Sequence, residues 1–194
     1  MSVFVDYLDL RTAVVEMIGN ADITDVFPRF VKMAESDFNR RLRCREQIET
    51  ASLSVADGRV DLPAGMSEPI GLFRGNGAEL VQQSVQVFER LADKRGFYAV
   101  LASEIAAADG DYSFQYYAKV PTLATSSTTS NWLLQKHPEL YLYAVAEKAA
   151  KHLVNAELAT ATGSLAETEY KSVAAQDYSE RFARARVRVG GITP

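Results

Sequence analysis

The sequence predicts an α+β protein, mainly α: a bundle of about four helices with a small antiparallel β-hairpin lobe inserted between the N-terminal and C-terminal helix pairs. Three observations carry this prediction. Apolar residues recur at helical spacing toward both ends of the chain. Asp-Gly and Gly-Asn-Gly turn signals gather between Arg45 and Val120. A chain of 194 residues, 47% of them hydrophobic, is enough for one ordinary domain with a real core. The expected organisation is a single domain, 1–194. It has N-terminal helices over 1–44, a β lobe with a short helix over 45–120, and a polar loop over 121–136. C-terminal helices over 137–186 and an extended tail over 187–194 complete it.

Taken in order, Phe4, Leu8, Val15 and Ile18 recur at helical spacing, and Gly19-Asn20 stops that first helix. Thr24 or Asp25 caps a second, and Pro28 sits in its first turn, where no backbone N–H is required. Phe27, Val31, Ala34, Phe38 and Leu42 make one apolar stripe along it. The period then changes. Asp57-Gly58, Gly75-Asn76-Gly77 and Asp109-Gly110 accept positive φ and suit tight hairpins. The segment "VQVFERLADKRG" interrupts the strands with a short helix ended by Gly96. After the polar connection, Leu142, Val145, Ala149, Leu153 and Ala156 form a stripe from Pro138 to about Thr160. Gly163 breaks that pattern. Ser164 with Glu167 then makes a capping box for a last helix faced by Ala174, Tyr178, Phe182 and Ala185.

Composition excludes several classes of function. A net charge of -4 and a pI near 5.3 disfavour bulk nucleic-acid binding. No apolar run approaches the roughly 20 residues that cross a bilayer. The N-terminal segment carries Asp6, Asp9 and Glu16 without a basic start, so no signal peptide is expected. Cys44 is the single cysteine, which fits a reducing cytoplasm. His137 and His152 lack metal-pair spacing; one is expected at a helix start and the other on a helix surface. There is no phosphate-binding loop, nucleophile elbow or dinucleotide fingerprint. Asp109 and Asp111 flank Gly110 in turn chemistry rather than as a catalytic pair. Arg43 and Arg45 beside Cys44 could lower its pKa, yet a buried-edge cysteine is the commoner case. No enzyme activity, cofactor or metal is expected.

The candidate chemistry is therefore partner binding. Arg40, Arg41, Arg43 and Arg45 close the second helix, where cations suit the negative end of the helix dipole. Four exceed what capping needs, and arginine is favoured at interfaces, so both roles stand open. Trp132, the one tryptophan, follows a Ser/Thr-rich stretch without charge; it suits either a docking anchor or a plug for its own core. Arg181, Arg184, Arg186 and Arg188 end the last helix and lead into "VRVGGITP". The alternation Arg186-Val187-Arg188-Val189, with Ile192 beyond, reads as a solvated tail or as an edge strand awaiting a partner sheet.

The order of motifs "MAESDFNRRLRCRE", "VDLP", "YSFQYYAKVPTL" and "NWLLQKHPELYLYAVAEKAAKHL", closing on a Tyr-containing helix, resembles the head-to-tail adaptor (connector) proteins of tailed bacteriophages over about residues 5 to 185. The resemblance implies a structural virion protein at the head–tail junction, made in the host bacterial cytoplasm. It implies a ring of copies of itself, typically dodecameric, under the portal protein. Tail proteins (nozzle, fibres or tube) attach below, and DNA passes through the lumen without sequence-specific binding; no membrane is involved. No carboxylate pair stands out for the cell-wall hydrolase activity of some adaptors. Two other readings remain: a tail-tube or gatekeeper ring protein, told apart by whether it binds portal, and a small cytoplasmic enzyme, which would show a deep polar-lined pocket.

Overall fold

A computed structural model describes residues 4–124 and 128–182. These hold six α-helices and two small sheets, an α+β architecture. The chain divides into two compact units, one built from residues 1–45 and 120–194 and the other from residues 46–119.

The first unit contains α1 (Tyr7–Ile18), α2 (Phe27–Arg41), α4 (Trp132–Lys136), α5 (Pro138–His152) and α6 (Ala156–Phe182). Helix α5 is its hub and packs against α1, α2, α4 and α6. The sequence explains this role. Leu140, Tyr141, Ala144, Val145, Ala146, Ala149 and Ala150 are all buried, so the helix is apolar around most of its circumference. Its alanines also let neighbouring helices come close.

Asp6 caps α1 by accepting hydrogen bonds from the N–H groups of Leu8 (2.8 Å) and Asp9 (3.1 Å). Gly19 ends it at φ 70°, as its sequence position predicts. The buried face is Tyr7, Leu10 and Val14, not the expected stripe, and Leu8 is exposed. The tyrosine decides the rotation. Its ring meets Phe27 edge-on at 5.4 Å, and a hydrophobicity count undervalues such a contact. In α2 all five expected stripe residues are buried. The cap differs: the position is Val26, with no side-chain cap bond, after a short turn over Ala21–Ile23.

The last two helices divide elsewhere than expected. Gly163 lies within α6, and the break falls at Leu153–Asn155. Val154 takes a left-handed φ of 57°, and the Asn155 side chain accepts from the Leu158 N–H at 3.1 Å. Gly163 serves packing instead. A Cβ there would stand 3.3 Å from a carboxylate oxygen of Glu147 on α5. The buried face of α6 is Thr162, Ala166, Tyr170 and Val173; Ala174 and Tyr178 point outward, and Ala185 lies outside the described residues.

The second unit carries β1 (Ile48–Val55), β2 (Arg59–Asp61), β3 (Met66–Arg74), β4 (Val81–Gln82), α3 (Val85–Arg90), β5 (Phe97–Val100), β6 (Glu104–Ala107) and β7 (Gly110–Ala118). One sheet has the order β1-β7-β3, the other β2-β6-β5-β4. Strand β7 alternates strictly, with Tyr112, Phe114, Tyr116 and Ala118 turned inward, and these share one core with Val55, Leu72, Tyr98 and Ile105. The expected turns exist, and Gly75-Asn76-Gly77 folds the chain back antiparallel along β3, with the Arg74 N–H donating to the Ala78 carbonyl at 2.9 Å; the two Asp-Gly turns do not join simple hairpins. Asp57 and Gly58 both have positive φ, and the Gly58 N–H donates to the Asp109 carboxylate at 2.7 Å. Yet that turn passes the chain from the first sheet to the second, and Asp109-Gly110 passes it back. A turn dipeptide reports a reversal; the cross-strand core selects the partner. The lobe is also not wholly antiparallel. Strands β4 and β5 run parallel, because the connection between them carries α3 and so can cross over. That helix ends at Arg90, before Gly96.

Val154 yields the clearest stability test. A β-branched residue at positive φ is strained, and this one is 87% exposed, so its side chain contributes little packing. Val154→Gly should raise stability by about 1 kcal/mol in urea unfolding. A loss would show that the side chain matters more than the backbone.

Candidate docking surface

The four arginines near the end of α2 occupy one corner of the helical unit, beside α6. Arg43 is half-buried, and its guanidinium donates to the main-chain oxygens of Asn39 (2.9 Å) and Leu42. It satisfies carbonyls that the helix end leaves open. Arg41 reaches α6, meeting Glu167 at 2.7 Å and standing 3.6 Å over the Tyr170 ring. Arg45 pairs with Glu180, while its backbone N–H donates to Asp177 at 2.9 Å. Arg181 returns the contact, meeting Asp177 at 2.7 Å and the Arg43 carbonyl at 2.9 Å. Arg40 pairs with Asp37 on its own helix and remains largely exposed. Capping and helix-to-helix pairing thus engage the cluster within the chain, and the exposed sides of Arg40, Arg41 and Arg45 face outward.

A groove of about 410 Å³ opens at this corner, lined by Leu42, Cys44, Tyr170, Lys171, Ala174 and Tyr178 among others. Cys44 is buried, so it is not poised as an exposed thiolate. The Tyr170 hydroxyl is buried and has no hydrogen-bond partner among the described residues, and burial pushes its pKa well up.

Trp132 opens α4 half-buried against the helical core, between buried Asn131 and buried Leu133. The described residues of the connection that precedes it are fastened to the helical unit and to one another. The Val120 N–H donates to Asn39 at 2.7 Å, Leu123 is buried, and the Ala124 N–H donates to the Thr128 carbonyl at 2.8 Å. At its centre is Glu35, 3% exposed. One of its oxygens accepts from the Leu123 N–H (2.8 Å) and the Tyr141 hydroxyl (3.2 Å). Asn131 donates to that hydroxyl (2.8 Å) and to the Pro121 carbonyl (2.7 Å), and its own oxygen caps α4 through the Leu134 N–H. Burial pushes the Glu35 carboxyl above its ordinary value, although the bonds from Leu123, Tyr141 and Thr122 and the charge of Lys32 favour the anion. Sequence reading missed Glu35. Its signal was present: Glu35 lies four residues after Val31 and three before Phe38, on the apolar stripe itself.

The remaining candidates lie in separate places. His137 stands between α4 and α5, and His152 is exposed at the end of α5 against the Phe30 ring. Asp111 accepts from the Ser54 hydroxyl at 2.7 Å, and Asp109 serves the Gly58 turn. Among the described residues no group of His, Cys, Asp and Glu could hold a metal ion, and no helix is long and apolar enough to cross a membrane. Arg184, Arg186, Val187, Arg188, Val189 and Ile192 lie outside the described residues.

The model of the SU10 adaptor protein family matches residues 5–190. The chain belongs to that family and is a structural adaptor protein of a bacteriophage. No curated protein matches it.

The buried network predicts a measurable pH effect. The folded Glu35 value lies above the unfolded one, so its contribution is fully present below the ordinary carboxylate range. That contribution is lost as pH rises through the raised value. The stability of the wild type relative to Glu35→Gln should therefore fall as pH is raised from about 4 to about 8. Glu35→Ala, which leaves the Leu123 N–H and the Tyr141 hydroxyl without their acceptor, should cost about 2–3 kcal/mol in denaturant unfolding. A flat pH difference, or an alanine variant as stable as wild type, would contradict this account.

Proposed function

We propose that the protein forms a ring, twelve-fold like those of similar adaptors, under the portal and joins the phage head to the tail while DNA passes through the lumen. The observation that carries this reading is the family match over nearly the whole chain. In this reading the four longer helices form the bundle and residues 46–119 the lobe inserted between its N- and C-terminal pairs. Portal protein and tail components are the partners, and the head–tail junction of the virion is its location.

The charge supports the reading. A subunit with a net charge of -4 repels DNA phosphates overall, so DNA can slide past without sequence-specific adhesion. The candidate contacts are the outward sides of Arg40, Arg41 and Arg45, with Arg43 as their internal support. Trp132 and the residues 184–192 are the others. Tryptophan is favoured at the centres of interfaces because it brings large area with two rotatable bonds, and arginine because its planar guanidinium makes bidentate ion pairs and stacks on rings. The role is structural rather than enzymatic.

Like charge also opposes self-association of free subunits. Light scattering of the isolated protein should show mainly subunits, and electron micrographs should show closed rings once portal is added. Stable rings without portal would overturn the assembly order, and absence of rings with portal would overturn the proposal.

A further inference from the structure

The two sheets of the second unit have four edges, and three are protected. Strand β3 carries Pro69 and two register shifts, and its outer side is met by the returning chain, where the Leu80 N–H donates to the Leu72 carbonyl at 2.8 Å. Strands β2 and β4 have three and two residues. Strand β1 differs in every respect. Its eight residues pair with β7 in unbroken register from Ile48↔Tyr117 to Val55↔Gly110, with no bulge and no proline. Its only charge is Glu49, and Ile48, Thr50, Ser52 and Ser54 are exposed. Among the described residues nothing hydrogen-bonds to its outer side. A long, unbroken, nearly uncharged edge is a template for another strand.

The geometry points to β1 as the acceptor for residues 186–192 of a neighbouring copy, added as a fourth strand to the β1-β7-β3 sheet. This inference rests on the ring reading and deepens it. The donor is identified by its chemistry. Arg186-Val187-Arg188-Val189 alternates basic and β-branched residues, the pattern of an edge strand. Charge is complementary as well. Residues 46–119 hold eleven Asp and Glu against six Lys and Arg, whereas residues 183–194 hold three arginines and no acidic side chain. Length suffices too. The twelve residues after Phe182 span about 40 Å when extended, against about 26 Å for the eight-residue edge. Main-chain pairing would supply affinity, while Val187 and Val189 on one face and the arginines on the other would fix the register.

The test uses full-length chains. Two differently tagged variants, Thr50→Cys or Ser52→Cys in one and Val187→Cys in the other, are assembled on portal and mildly oxidised; Cys44 is buried and adds little background. The bond between copies should form at least about fivefold above a Gln86→Cys control on exposed α3. In parallel, a labelled peptide of residues 183–194 is titrated into the full-length Val187→Pro/Val189→Pro variant, whose own tail cannot pair as a strand. The peptide should shift amide signals of Ile48–Val55, and Glu49→Lys should weaken it about fivefold or more. Rings that form normally without the bond would overturn the inference while sparing the ring reading. So would a chain carrying both cysteines that closes only on itself, or a peptide that shifts the α2–α6 groove instead. If no rings form, the ring reading fails, and the peptide titration still decides whether the edge accepts the tail.

Discussion

A carboxylate inside an apolar helix face has to be given donors, and Glu35 draws them from the chain that returns after the inserted strands. Leu123 supplies a backbone N–H, Thr122 a side-chain bond, and Tyr141 a hydroxyl that Asn131 orients in turn. One buried group therefore joins α2, α5 and the connection between residues 120 and 131. The N-terminal helices and the C-terminal helices are separated by the whole inserted unit in sequence, so contacts of this kind decide whether they find each other. An apolar residue at position 35 would pack as well, but it would leave the returning backbone free to choose its register. The polar network adds specificity at a cost in desolvation, the balance expected when a buried group fixes one arrangement among several.

From that network a line of rings leads to the charged corner. Tyr141 meets Phe38 edge-on at 4.9 Å, Phe38 lies 5.9 Å from Tyr170, and Arg41 covers the Tyr170 face. Polar and apolar fastening are thus continuous from the core to the surface. The corner pairs (Arg41 with Glu167, Arg181 with Asp177) are partly exposed, and each contributes little by itself. Their value is geometric. They hold the end of α2 against α6 and fix which faces of the arginines remain available to a partner.

Local chemistry was legible in the sequence wherever local chemistry decided the outcome. The α2 stripe, the Gly19 stop and the Asp57-Gly58 turn all follow from spacing and backbone freedom. Errors arose where a distant residue decided. Gly163 reads as a helix break until Glu147 is seen packed above it. The real break falls at Val154, a residue that propensity alone would never place at positive φ. The turns were visible, but which strands they served depended on a core that Val55, Tyr98 and Phe114 build across the sequence. Arginines at the corner could be seen; the carboxylate partners of Arg41 and Arg45, Glu167 and Glu180, more than a hundred residues away, could not. Glu35 is the instructive case, because a charge on an apolar stripe was visible and was not weighed.

The proposed ring would constrain the contacts further. A closed ring of more than two copies needs a heterologous interface, in which two different surfaces of one subunit meet their complements on the next. A self-complementary patch would stop at a dimer. A basic, alternating tail and an open, nearly uncharged edge on an acidic unit are two such unlike surfaces, so their pairing could run from each copy to the next around a ring. The same asymmetry limits premature assembly. Ordering any added strand costs about 1–2 kcal/mol per residue before main-chain pairing offsets it. In the proposed assembly such a contact would be marginal between free subunits that repel one another, and it would become favourable once an external template held them side by side.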